Sequence, residues 1–166
     1  AGRLRYRVLP LRAIMLLGYG GAHAADTGIK AGFAERDITP AIGMEQPGGY
    51  GKSFHRTFHD PCKVRVALFD DGTRKVVLIG LDSLTVPRHV VVDARKEIER
   101  LLKIPGDAVM IGASHSHSSG PTGMVLPGQF DTAPEDIRKL AYEESSMANA
   151  GYLLRVTNEI VQGVRA

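Results

Sequence analysis

The sequence predicts an α/β fold: a mixed sheet that contains a β-hairpin and a parallel βαβ crossover. Three observations predict it. Lys63-Val64-Arg65-Val66-Ala67-Leu68-Phe69 alternates with period two, as a half-buried strand does. Val76-Val77-Leu78-Ile79-Gly80-Leu81 and Ala108-Val109-Met110-Ile111-Gly112-Ala113 are short continuous apolar runs, the pattern of buried central strands. Between those two runs lies a segment with one apolar face at helical spacing. Strand, helix and strand in succession make the two strands parallel.

The elements follow in order. Residues 29–40 read as an opening strand that ends at Pro40. Residues 40–62 are rich in Gly and Pro and are too long for a simple turn; long ordered loops in compact domains are usually functional. After the alternating strand, Asp70-Asp71-Gly72-Thr73 is a hairpin turn signal. Pro87 suits the first turn of a helix over about 87–103, with Ser83 or Thr85 as caps. Its apolar face carries Val90, Ala94, Ile98, Leu101 and Leu102, and Arg95, Lys96, Glu97, Glu99 and Arg100 solvate the other side. Pro134-Glu135-Asp136 looks like a further helix start. A last helix, about 150–164, carries Leu153, Val156, Ile160, Val161 and Val164 as a stripe for which the sequence offers no evident partner.

The composition narrows the function classes. Of the 166 residues, 43% are hydrophobic and 23% charged, which excludes a disordered tail, a collagen-like repeat and a disulfide-rich miniprotein. The single cysteine, Cys62, excludes an internal disulfide and any multi-cysteine zinc finger or iron–sulfur site; it reads as a small buried residue at a strand start. The net charge of +3 is local. Arg3, Arg5, Arg7 and Arg12 lie in residues 1–24, which hold no acid, and the remaining 17 basic side chains face 18 acidic ones. No nucleic-acid partner is expected.

Residues 1–24 read as a secretory signal peptide. A basic stretch ends at Arg12, the apolar run Ala13-Ile14-Met15-Leu16-Leu17-Gly18-Tyr19 follows, and Ala22-His23-Ala24 is a small-x-small cleavage pattern before Ala25. The run is shorter than the roughly 20 apolar residues of a spanning helix. An exported protein, periplasmic or secreted, is the expectation.

The strongest chemical feature is Ser114-His115-Ser116-His117-Ser118-Ser119-Gly120-Pro121, directly after a predicted buried strand. Two histidines at i and i+2 on extended backbone point to the same side. Imidazole nitrogens are good zinc ligands, and a catalytic zinc takes about three protein ligands plus water. Ligands of α/β sheets bind off the carboxyl ends of strands. Asp82 and Ser83 hold the equivalent end of the other crossover strand, where Asp82 is placed to orient a ligating imidazole. The bland alternative is a polar strand exit whose histidines bond the surrounding serines. His55 and His59 lie four apart between Gly51 and Pro61 and read as loop residues with a structural or surface role. His89 reads as a solvated helix residue.

Four segments in the same order carry a resemblance to a known family. Ala113-Ser114-His115-Ser116-His117-Ser118-Ser119-Gly120-Pro121 resembles the Thr-His-Thr-His-Ser-Gly-Pro motif of the neutral, non-lysosomal ceramidases. Residues 31–40 are similar to that family's opening strand, Gly49-Tyr50-Gly51-Lys52 to its Gly-Tyr-Gly-Lys loop, and Leu78-Ile79-Gly80-Leu81-Asp82-Ser83 to its strand ending in Asp. The resemblance runs from about residue 29 to 124. It departs from the family at Ser118-Ser119, where the motif has one serine before Gly-Pro.

The resemblance implies a zinc-dependent amide hydrolase acting on an N-acyl sphingoid base, a small lipid-like substrate, with peripheral contact to a membrane surface. It implies that His115 ligates the metal and that His117 lies near the scissile group; with Asp82, placed by the crossover, His117 forms the expected catalytic set. Tyr50 and Lys52 are then candidates for substrate contact. The family's other ligands (a His, a Glu and a Tyr) and a serine sometimes assigned as nucleophile come from later in its chain. Residues 25–166 are therefore expected to be an incomplete N-terminal part of a larger catalytic domain, with the remainder beyond Ala166. The alternatives are an inactive fragment, a binding module of the same fold, or a hydrolase of another amide or ester.

Overall fold

In the computed structural model, residues 28–49 and 51–166 are described; the expected leader over 1–24 lies outside them. Four strands, β1 (Lys30–Asp37), β2 (Lys63–Asp70), β3 (Lys75–Leu81) and β4 (Val109–Ala113), form one sheet in the order β1-β2-β3-β4. The first two pairings are antiparallel, and β3 runs parallel to β4 with Leu81 opposite Ala113. The mixed sheet, hairpin and crossover follow the sequence expectation. At the hairpin turn, the Asp71 carboxylate accepts from the Thr73 hydroxyl and from the Thr73 and Arg74 amides. Those bonds, the Thr73 hydroxyl first, hold its pKa down at about 2.

The crossover helix α1 (Arg88–Leu102) buries Val90, Ala94 and Ile98 and stops at Lys103, whose left-handed φ of 58° lets its N–H reach Glu99 O. Leu101 stays exposed. The expected side-chain caps are absent: Pro87 takes the N-cap position with no side-chain bond. Ser83 and Thr85 instead donate to the carbonyls of Thr85 and Gly123, because the chain turns away from α1 toward the β4 exit.

A short helix, α2 (Glu135–Lys139), begins after Pro134. The last helix, α3 (Ala150–Arg165), is capped by Asn149, which accepts from the Tyr152 amide. Its apolar stripe does find a partner. Tyr152, Val156, Ile160 and Val161 join the core with Val64, Val66, Val77, Ile79 and Val109, and α3 lies beside α1 over β1 and β2. Both long helices therefore cover the same sheet face. Burial at about 25 cal/mol per Å² of apolar surface is what holds this layer together.

The opposite face corrects the reading of β3 and β4 as strands buried on both sides. Val77, Ile79 and Leu81 are buried, whereas Val76, Leu78 and Gly80 alternate with them and are exposed. Met110 on β4 and Phe33 on β1 are likewise open, at 60% and 76% exposure. Phe33 leans edge-on against Phe69, with ring centroids 6.2 Å apart.

Candidate functional site

The register of β3 and β4 brings the chain off the sheet at Asp82 and Ser114 side by side. Backbone bonds lock the two exits together. Ser114 N–H donates to Leu81 O at 2.9 Å, and Ser116 N–H to Ser83 O at 3.1 Å. His115 and His117 therefore lie at the carboxyl edge of the parallel pair, where α/β sheets place ligands.

Strand alternation does not align the two imidazoles. β4 ends at Ala113, and His115 has a left-handed φ of 63°. A non-glycine residue there costs on the order of 1–3 kcal/mol, and the flanking backbone bonds hold it. The turn still brings the rings together: they meet edge to face with centroids 5.0 Å apart.

The His115 ring is fixed by one bond. Its Nδ1 lies 3.0 Å from Leu84 O. A carbonyl only accepts, so Nδ1 carries the proton and donates, and the neutral ring keeps its lone pair on Nε2. Proteins orient metal-binding imidazoles by this arrangement. Leu84 is itself clamped. Its N–H donates to Ser119 Oγ at 3.0 Å, and that hydroxyl donates to Ser116 O at 2.9 Å.

His117 is exposed, and its ring nitrogens have no hydrogen-bond partner among the described residues. The Gly-rich loop lies directly against it. Gly48 has a φ of 93°, and a Cβ there would stand 2.6 Å from His117 Cγ. Glycine alone satisfies both demands. Gln46 holds the same strand exit, donating to His117 O and Ser118 Oγ at 3.3 Å. The loop closes on itself through Gly43 N–H to His55 O and His55 N–H to Met44 O.

The other sequence candidates are placed as follows. Asp82 does not orient an imidazole. Arg65 Nη1 binds both of its carboxylate oxygens at 2.9 and 2.8 Å, and the Lys63 amide donates to one of them at 2.9 Å. Leu84 O takes the role expected of Asp82 at His115 Nδ1. Asp82 lines a groove of about 460 Å³ on the open sheet face and a cleft of about 490 Å³ beside His55 and Cys62; neither is lined by His115 or His117. Lys52 Nζ pairs with Glu45 Oε1 at 3.0 Å, and Glu45 Oε2 accepts the Met147 amide at 2.8 Å. Lys52 thus braces the base of the loop. Tyr50 lies outside the described residues.

Two loop histidines differ sharply. His55 is 4% exposed, and its Nε2 donates to Ser119 O at 2.9 Å. His59 is solvated beside Asp60. Cys62 is buried immediately before β2, as read. Burial first, then the Asp82 and Asp37 carboxylates, push its thiol pKa up. Leu84, Ser119 and Gln46 were not singled out as site residues from sequence. The one signal at these positions was the second serine of Ser118-Ser119.

Among the described residues, no three His, Cys, Asp or Glu side chains converge as a metal site. His115 Nε2, with its ring held by Leu84 O, fits a zinc ligand by donor chemistry. It supplies one of the three or four protein ligands such a site takes.

The chain's fold is that of a region of the neutral ceramidases. A neutral ceramidase from Pseudomonas aeruginosa matches with a TM-score of 0.61 and 18% identity, over 84% of this chain and 21% of that one. A ceramidase complexed with C2 matches with a TM-score of 0.59 and 18% identity, over 83% and 20% of the two chains. The chain thus spans about a fifth of the length of these structures. No protein-family profile and no curated protein sequence matches it significantly.

Proposed function

We propose that residues 25–166 are the N-terminal part of a zinc-dependent amide hydrolase that cleaves an N-acyl sphingoid base to a fatty acid and a free amine. The observation that carries this reading is the disposition of His115. Its Nδ1–H is tied to Leu84 O, so its Nε2 lone pair is presented at the carboxyl edge of a parallel strand pair, 5.0 Å ring to ring from His117. The ordered motifs and the fold likeness support the same reading.

In this account His115 Nε2 holds the metal, with the remaining ligands contributed outside the described residues. A zinc held there would lower the pKa of a bound water to about 7 and polarise the scissile carbonyl. His117, whose ring nitrogens have no protein partner among the described residues, hydrogen-bonds the reacting amide and carries its proton. Gly48 fixes how closely the loop can approach that ring. Arg65 and Asp82 hold one another at the sheet edge beside it. An exported protein meeting its lipid-like substrate at a membrane surface agrees with the leader in the sequence. No helix among the described residues is long and apolar enough to cross a membrane.

The second reading is a binding module of the same fold. It rests on the exposed His115 and His117 rings, 5.0 Å apart, holding a ligand without cleaving it. Fatty-acid release from N-acylsphingosine in detergent micelles separates the two, using the full-length protein. Chelation should abolish release, zinc should restore it, and His117→Ala should lower turnover while the metal stays bound. Absence of release from zinc-loaded protein, or release indifferent to both treatments, would contradict the hydrolase reading.

A further inference from the structure

The serine pair that departs from the family motif occupies a specific place in this fold. Ser118 is exposed, and Ser119 is fully buried. The Ser119 hydroxyl and carbonyl are both engaged. Its Oγ accepts the Leu84 N–H at 3.0 Å and donates to Ser116 O at 2.9 Å. Its carbonyl accepts from Nε2 of the buried His55 at 2.9 Å. Leu84 is 2% exposed and gives its own carbonyl to His115 Nδ1 at 3.0 Å. The result is a continuous run of hydrogen bonds from the loop, His55 to Ser119 to Leu84 to His115.

We infer that Ser119, steadied by His55, is a positioning residue that sets the orientation and tautomer of the His115 imidazole. This rests on the reading of His115 as the metal ligand. The physical argument is one of alternatives. His115 is held in a left-handed conformation at φ 63°, so its ring direction follows from where Leu84 O is placed. Leu84 lies in the exit loop of β3, between Leu81 and α1, and its N–H is pinned by Ser119 Oγ. Without that hydroxyl, a buried donor loses its acceptor and the 83–85 turn relaxes to find another. The carbonyl then moves off His115 Nδ1, and the ring divides between tautomers. His55 acts one step further out. Its donated bond fixes the Ser119 backbone, and tilted contact with Phe58, centroids 4.6 Å apart, fixes His55. Removing partners that orient a ligating imidazole typically weakens metal binding 10- to 100-fold.

The experiment uses the full-length protein in four forms: wild type, Ser119→Ala, His55→Gln and His55→Leu. Gln keeps an N–H donor at the position of His55 Nε2, and Leu removes it. The first readout is the His115 tautomer in metal-free protein, by histidine-selective ¹⁵N NMR. The second is zinc affinity by chelator competition. Wild type and His55→Gln should show His115 protonated at Nδ1. Ser119→Ala should show mixed tautomers and zinc affinity lowered by roughly 10-fold or more. His55→Leu should shift the same way by less. Wild-type tautomer and affinity in both Ser119→Ala and His55→Leu would overturn the inference. If wild type binds no zinc, the metal reading fails, and the tautomer readout still decides the role of Ser119. Should Ser119→Ala fail to fold, the contrast between His55→Gln and His55→Leu decides it.

Discussion

Two pairs of histidines lie in this chain, and they behave differently. His115 and His117 follow a strand of the parallel pair, are exposed, and have their rings in contact at 5.0 Å. His55 and His59 belong to the loop; one is 4% exposed and bonded to Ser119, and the other is solvated beside Asp60. Spacing alone would favour neither pair as a metal site. Position in the fold separates them, because the first pair sits where two strands end together, and His115 Nε2 and the His117 ring nitrogens have no hydrogen-bond partner among the described residues. The second pair has its polar atoms engaged or in water. The pairs are also linked: the buried loop histidine reaches the strand exit through Ser119.

The largest effect is expected from His55→Leu, which leaves Ser119 O buried without its donor. A loss of about 1–3 kcal/mol is expected, read as a lower urea midpoint, with His55→Gln recovering most of it. No loss for His55→Leu would mean that the buried histidine is not structural. Gly48→Ala comes next. It places a methyl 2.6 Å from the His117 ring and strains a φ of 93°, so His117 must move. The expected cost is about 1–3 kcal/mol, with lowered turnover and unchanged zinc content. Unchanged turnover would show that the loop does not seat His117.

Asp82→Asn should matter less. The Arg65 and Asp82 side chains are 53% and 28% exposed, and such pairs contribute under about 1 kcal/mol. Asparagine also keeps an acceptor for the Lys63 amide. Zinc content should not change; a loss of metal would restore Asp82 to the role of orienting the imidazole. His59→Ala should change stability by less than about 0.5 kcal/mol, as solvated substitutions do.

The fold was legible where pattern and packing agree. The alternating β2, the apolar β3 and β4 and the amphipathic α1 each appear where they were read, because one face of each meets the same core. The motif's place at the strand ends was legible from the crossover. Three things were not. The left-handed His115 depends on backbone bonds between two loops distant in sequence. The Arg65–Asp82 pair depends on register: Arg65 lies opposite Gly80, two positions before Asp82 on the neighbouring strand exit. The partner of the α3 stripe depends on both long helices choosing one sheet face, which leaves Phe33, Leu78 and Met110 exposed on the other. Alternation within a strand does not say which face is covered.

The central claim is that the Nε2 of His115 is a metal ligand. X-ray absorption at the zinc edge, on full-length protein loaded with one zinc per chain, tests it most directly when combined with metal content of His115→Ala. The account predicts a zinc–nitrogen distance of about 2.0–2.1 Å in the wild type. It also predicts His115→Ala to lose its zinc under the same dialysis while keeping its folding transition. A folded His115→Ala protein that retains one zinc per chain, with the same absorption spectrum, would contradict it.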